Sequence, residues 1–331
     1  MSGHINVKTL AAILCLLLAS APCLHAGTQS RVDTPLQLDK ETTIPFEYFN
    51  QHIFVTLTVN GTPGCKFLFD TGTSANILNL RTSQNLGLKP ESVKKEKDLG
   101  LGQGKVSVAA AKNVDVKMGD VRVANVLAIV DLHGLEQING HTMDGILGFP
   151  LLRHYVVELD FQKRTLTLHP FRGYQYQGDG DILVLRQKKY SAAVSAVLGS
   201  GSHTQHNATL EIDTGSDATV LLYSKYVQDA HLIRNIQQPH NALAYGLGGY
   251  FPIQFASLRF MSMGNTEVTP LTVFFMQTTP KLSSMRKIGG IVGTSVLDKY
   301  QRVIFDVPRG RIILEHADTT PQDSGNVPRH P

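Results

Sequence analysis

The chain repeats itself, and the repeat limits the folds open to it more than any other feature. Phe67-Leu68-Phe69-Asp70-Thr71-Gly72-Thr73 returns 143 positions later as Leu210-Glu211-Ile212-Asp213-Thr214-Gly215-Ser216. Gly145-Ile146-Leu147-Gly148 returns as Gly290-Ile291-Val292-Gly293 at an offset of 145. Leu151-Leu152 and Tyr155 return as Val296-Leu297 and Tyr300 at that same offset, and Leu159-Asp160-Phe161 matches Phe305-Asp306-Val307 at 146. A nearly constant offset describes two copies of one structural unit separated by small loop insertions. The halves run over 42–172 and 182–316, with a connector of glycine, tyrosine, glutamine and aspartate at 173–181.

Each half reads as mostly β with a few short helices, so the expected fold is all-β and bilobal, with two homologous barrel-like lobes. His52 to Val59 is a strand run ended by Asn60-Gly61, a strong hairpin signal. Lys66 to Phe69 returns as a second strand with Asp70 at its end. In the other half Ala192 to Leu198 precedes a polar loop, Gly199 to Asn207, and Ala208 to Ile212 then delivers Asp213. Short apolar runs follow each motif, Asn76 to Leu80 and Ala218 to Tyr223. Helical stretches are predicted at Ser83–Leu86 and Ser224–Asp229.

Composition supports a folded core, with 42% apolar and 18% charged residues and a net charge of only +4. Lys94-Lys95-Glu96-Lys97 is the one dense cationic run, expected as a solvated loop or turn, and nothing points to nucleic acid as a partner.

Residues 1–26 have the layout of a secretory signal peptide. Lys8 is followed by the apolar run Leu10 to Leu18, and Leu24-His25-Ala26 ends in a small residue before Gly27. The run is shorter than the ~20 residues that a membrane anchor needs, so no stable span is expected after cleavage. Cys15 and Cys23 leave with that segment. Cys65 then stands alone, without a disulfide partner and best read as core. Residues 27–41 read as a linker and 317–331 as a disordered tail. Export across the inner membrane, to a bacterial periplasm or the exterior, is the expectation.

The chemistry lies in the repeated Asp. A carboxylate that takes a proton from water, and a carboxyl that gives one to a carbonyl oxygen, need opposite protonation states. Two carboxyls within ~3 Å acquire them because both cannot ionise together. A twofold repeat brings Asp70 and Asp213 face to face. Around them, Thr71 is small and can hydrogen-bond across the axis. Gly72 lets the backbone approach the carboxylate, and Thr73 and Ser216 offer hydroxyls. A single Asp-Thr-Gly is a common turn sequence. Two of them, each followed 75 or 77 positions later by an apolar pair between glycines, are specific.

These motifs resemble the aspartic peptidase superfamily, and more closely its bacterial retropepsin-like branch, with two fused units in a pepsin-like bilobal arrangement. The resemblance covers about residues 42–316. It implies a cleft between the lobes, Asp70 and Asp213 as the catalytic dyad holding a water, and Thr71 with Thr214 as an interlobe grip, with Gly215 as the counterpart of Gly72. It also implies a catalytically complete monomer acting on a peptide or protein substrate without metal or organic cofactor. A catalytically silent or single-substrate peptide-binding protein of the cell envelope is the alternative. Two departures stand out: Phe149-Pro150 and Thr294-Ser295 follow the later glycines where retroviral members carry an Arg, and Asp217 has Ser74 as its counterpart.

Glycine clusters at Gly100-Leu101-Gly102-Gln103-Gly104 and Gly246-Leu247-Gly248-Gly249 fall at corresponding places and suit mobile hairpin tips over substrate. Gly102, Gly248, Tyr245, Tyr250 and Asp217 are therefore candidate substrate contacts. His203 and His206 lie in a polar loop and read as solvated. Asp115, Asp120, Asp160 and Asp306 read as structural.

Overall fold

The computed structural model describes residues 14–15, 41–97, 101–102, 104–186, 191–201, 204–232, 236, 239–278 and 287–317. The rest of the expected signal segment, the linker up to residue 40 and the tail from 318 lie outside the described residues, as does His203.

In the first half, β2 (Thr42–Phe49) and β3 (His52–Val59) form a hairpin that leads into β4 (Thr62–Asp70) and β5 (Ile77–Asn79). After α1 (Leu80–Asn85) come β6 (Glu91–Lys97), β7 (Val106–Met118), β8 (Val121–Val130), α2 (His133–Asn139) and β9 (Gly145–Gly148). The antiparallel pair β10 (Tyr155–Asp160) and β11 (Thr165–Pro170) closes the half. The second half repeats the order with β12 (Asp181–Val184), β13 (Ala193–Gly199), β14 (Gln205–Asp213), β15 (Val220–Leu222) and α3 (Ser224–Asp229). A hairpin of β16 (His240–Gly246) and β17 (Gly249–Leu258) follows, then β18 (Phe260–Met263), β19 (Thr266–Val268), β20 (Leu271–Met276), β21 (Gly290–Gly293), α3's successor α4 (Thr294–Leu297), β22 (Arg302–Asp306) and β23 (Arg311–Glu315). A two-residue strand β1 (Leu14–Cys15) lies parallel to the outer edge of β16, so part of the expected signal run occupies an otherwise unpaired strand edge.

Local chemistry explains most of these elements. Asn60 and Gly61 both adopt left-handed backbone (φ 48° and 81°) between Val59 and Thr62, as a two-residue turn joining right-twisted strands requires. In β4, Phe67 and Phe69 enter one core cluster and Leu68 enters another, so the strand is apolar on both faces. β9 then runs parallel to β4 and antiparallel to β5, and β21 stands between β14 and β15 in the same way. Each apolar pair between glycines thus lies inside the sheet beside the strand that carries the Asp.

The two lobes share a central platform in the order β12-β23-β22-β10-β11-β2. At its middle Val157 pairs with Phe305, Glu158 with Ile304 and Leu159 with Val303. These are repeat-equivalent positions pairing with one another, so the pseudo-twofold axis passes through the Glu158–Ile304 pair. The main core cluster runs from the first lobe through the platform into the second, and Cys65 is buried within it.

Three expectations need adjustment. Lys94–Lys97 belongs to β6, not to a loop, because its backbone pairs with Val106–Val108 of β7; charged residues suit an edge strand. The first helix begins at Leu80, ahead of the predicted Ser83, because the Asn79 side chain caps it by accepting from the Arg81 N–H at 3.3 Å. The polar loop of the second half is shorter than predicted, since β14 begins at Gln205. The helix at Ser224–Asp229 stands where the sequence placed it. Asp160 accepts from the Lys163 N–H, and Asp306 pairs with Arg309 and Arg311, both structural roles as expected.

Candidate active site

β4 and β14 end at Asp70 and Asp213, and the two loops that follow meet on the twofold axis. Four hydrogen bonds lock them. The Thr71 N–H donates to Thr214 Oγ1 (3.0 Å), and the Thr214 N–H donates to Thr71 Oγ1 (3.1 Å). Each hydroxyl then donates onward to the opposite strand, Thr71 Oγ1 to the Ile212 carbonyl (2.7 Å) and Thr214 Oγ1 to the Phe69 carbonyl (2.8 Å). Both side chains are fully buried, so every donor in the set is used.

The grip sets the carboxyls against each other. A Cβ on Gly215 would stand 2.3–2.6 Å from the three carboxyl atoms of Asp70, and one on Gly72 would stand 2.5–2.6 Å from those of Asp213. Each carboxyl therefore rests on the bare backbone of the other loop, and only glycine leaves room for it.

Their surroundings differ. Asp70 Oδ1 accepts from the Gly72 and Thr73 N–H groups (2.8 and 3.0 Å), and Oδ2 accepts from the Thr73 hydroxyl (2.7 Å). Among the described residues, Asp213 Oδ1 accepts from the Gly215 N–H (2.9 Å), and Oδ2 makes no hydrogen bond. The two carboxyls interact directly, and a proton shared between them would relieve their repulsion. Burial raises the Asp70 pKa to about 6, against the lowering effect of its donors. Burial, then the Asp70 charge, then that of Glu211 push Asp213 well above the usual carboxylate range.

The two hairpin tips meet across the lobes. Gly102 and Gly248 form a parallel bridge, with the Gly104 N–H donating to the Gly248 carbonyl (2.7 Å) and the Gly248 N–H donating to the Leu101 carbonyl (3.0 Å). The tips also exchange side chains. Leu101, from the first lobe, is 2% exposed within the second lobe's cluster of Ala218, Leu221, Phe251 and Ile291. Leu247 and Tyr245, from the second lobe, pack on the first lobe's cluster of Phe54, Leu68, Ile77 and Ile146. With the tips joined, both carboxyls are 0% exposed. An open groove of about 620 Å³ lies elsewhere, between Arg186, Ser195, Tyr226 and Lys287 of the second lobe, and no residue of either Asp-Thr-Gly loop lines it.

The structure thus brings together Asp70, Thr71, Gly72, Thr73, Asp213, Thr214 and Gly215. Ser216 Oγ accepts from the Ala218 N–H (3.3 Å), and Asp217 is half-buried next to it. Tyr245 and Tyr250 meet edge to face at 4.9 Å. Tyr245 packs its hydroxyl on Gly134 of α2, whereas Tyr250 is 46% exposed. His206 bonds Ser200 and is no part of this site. Sequence reasoning missed Leu101 and Leu247 as side chains, although both sit between the glycines that marked the tips. It also missed Thr294, whose hydroxyl donates to the Thr214 carbonyl (3.0 Å), and His52.

Residues 55–151 match the family model described as aspartyl protease. The match takes in the first Asp-Thr-Gly loop, the glycine-rich tip of the first half and β9, and stops before the second half. No curated protein matches the chain.

Proposed function

We propose that this chain is an exported aspartic endopeptidase, complete as a monomer, that hydrolyses peptide bonds with a water activated between Asp70 and Asp213. One observation carries it: two fully buried carboxyls, each seated on the other loop's glycine, with a reciprocal threonine grip beneath them.

The donor asymmetry assigns the roles. Asp70, with three donors on its two oxygens, is the better anion and takes the proton from water. Asp213, with one donor and a bare oxygen, holds the shared proton and gives it to the scissile carbonyl oxygen as the water oxygen attacks the carbon. In the resulting diol the C–N bond breaks. The proton on Asp70 passes to the departing nitrogen, and a hydroxyl proton returns to Asp213. No covalent intermediate forms. Export is supported by Lys8, the apolar run to Leu18 and the single remaining Cys65.

Digestion of a diverse peptide library by the chain from Gly27 onward, beside Asp70→Asn and Asp213→Asn, tests this. Cleavage by the parent and loss of at least ~10³-fold in each variant is the expected result. Full activity in either variant overturns the dyad. The joined tips and 0% exposure favour a second reading, a peptide binder without turnover, which predicts tight binding of a statine-type inhibitor with no cleavage at any pH.

A further inference from the structure

Strand register points to a second pair of positions beside the dyad. Phe54 pairs with Leu68, and Ala193 pairs with Glu211. Two residues further along, on the same faces, His52 comes opposite Asp70 and Ser191 opposite Asp213. In the second lobe the ladder runs to the pair before it, where the Ile212 N–H donates to the Ala192 carbonyl (2.8 Å).

His52 is 1% exposed and Asn139, at the end of α2, is 4% exposed. Asn139 Nδ2 lies 3.0 Å from His52 Nδ1, and the Asn139 backbone carbonyl accepts from Asn50 Nδ2 (2.9 Å). With Nδ1 accepting, the neutral ring carries its proton on Nε2. Burial holds the ring neutral by driving its pKa down to about 4, against the opposing pull of the Asn50 and Gly215 carbonyls that face it. The Gly215 carbonyl places the ring against the second Asp-Thr-Gly loop. Among the described residues, His52 Nε2, Asn139 Oδ1 and Ser191 Oγ are buried and make no hydrogen bond of good geometry, the Gly215 carbonyl facing the ring without meeting it. Such atoms are rare in a folded interior and call for a ligand or a function. Here they sit at twofold-related places flanking two carboxyls that are equally closed off. An opening that admits substrate to the dyad uncovers them as well.

We propose that His52 and Asn139 form a specificity-determining pair that holds an amide group of the substrate, with Nε2–H donating to the amide oxygen and Oδ1 accepting from its N–H. Ser191 presents one hydroxyl at the related position, so the two ends of the cleft differ and a peptide is held in one direction. The inference rests on the peptidase reading for the place of the cleft, though not on turnover. The amide comes either from an Asn or Gln side chain or from the peptide backbone.

The test measures binding of a peptide panel to the cleavage-silenced Asp70→Asn protein, with cleavage by the parent in parallel. The panel varies one position at a time between Gln and Leu and replaces single backbone amides by esters. One position on one side of the scissile bond discriminates by at least about tenfold, the low end of the cost of leaving a buried donor or acceptor unpaired. A Gln preference identifies a side-chain amide, and an ester penalty identifies the backbone. His52→Ser abolishes the discrimination through Kd and KM and leaves kcat in place. His52→Gln retains part of it. Asn139→Leu, which leaves the ring intact, serves if His52→Ser does not fold by thermal unfolding. Binding without discrimination, or equal weakening of every peptide in the variants, overturns the pair. Discrimination in binding with no cleavage by the parent sustains the pair and overturns the peptidase. Failure to bind any peptide overturns both.

Discussion

Leu101→Ala separates a latch from an ordinary core contact. Leu101 is 2% exposed, and its burial is made across the lobes, by a hairpin tip seated in the other half. Burying a leucine contributes roughly 1.5–3 kcal/mol, and a movable tip collapses around a smaller residue more readily than a rigid core does. Taking about 2 kcal/mol, the loss falls on the closed state alone, because an open tip exposes either side chain to water. The ratio of open to closed forms then rises about thirtyfold at 1.36 kcal/mol per decade. Hydrogen exchange reads this directly. The Gly104 and Gly248 amides, bonded to the Gly248 and Leu101 carbonyls, exchange about thirtyfold faster in the variant, while amides of β4 and β9 change less. Peptide association quickens with the population of the open form. Equal exchange at Gly104 and Gly248 in both proteins would refute the latch, whatever happens to the melting temperature.

Three further outcomes follow from the same geometry. On the proposed mechanism the active form has Asp70 ionised and Asp213 neutral. Activity therefore rises as pH passes about 6 and falls only at the higher pKa of Asp213, giving a near-neutral optimum in place of the mildly acidic one that a shared proton alone suggests; a kcat/KM profile peaking below pH 5 contradicts it. Thr71→Val removes the hydroxyl bond to Ile212 and orphans the Thr214 N–H, at a cost of roughly 2–4 kcal/mol in urea unfolding, whereas Thr71→Ser stays within about 1 kcal/mol; equal losses would show that the hydroxyl is idle. His52 has a folded pKa of about 4 against ~6.5 unfolded, so the unfolded chain binds the proton first and stability falls as pH drops from 6.5 to 4, by about 3 kcal/mol in all. The raised Asp70 pulls the other way over part of that range, so the measurement is the difference between the parent and His52→Gln, which flattens if the assignment holds.

The site was legible where repetition exposed it. Asp70-Thr71-Gly72 and Asp213-Thr214-Gly215 are short, identical and placed at strand ends by apolar runs, so sequence alone gave their pairing and the threonine contacts. Register made His52 invisible: it lies 18 positions before Asp70, and only the Asn60-Gly61 turn and the bulge between Leu57 and Val59 bring it opposite. The tips were legible as glycine clusters, but not their closure, because a glycine reports backbone freedom and not which pocket the neighbouring leucine fills. Lys94–Lys97 was misread for a related reason. Charge alone does not tell a loop from an edge strand, whose backbone is paired on one side.

The symmetry of the grip and the asymmetry of the carboxyls belong to one design. Hydrolysis by a dyad needs two carboxyls close enough to share a proton, which a twofold repeat supplies through Thr71 and Thr214. A perfect twofold would leave the proton equally on either oxygen pair. The second half breaks the tie: where Thr73 donates its hydroxyl to Asp70 Oδ2, the equivalent Asp213 Oδ2 has no donor, and the buried Glu211 takes the place of Leu68 two residues before it. Both differences favour the neutral form of Asp213. The same halves differ again at His52 and Ser191, so on the proposed reading chemical direction at the dyad and binding direction along the cleft both follow from substitutions at repeat-equivalent positions of one duplicated frame.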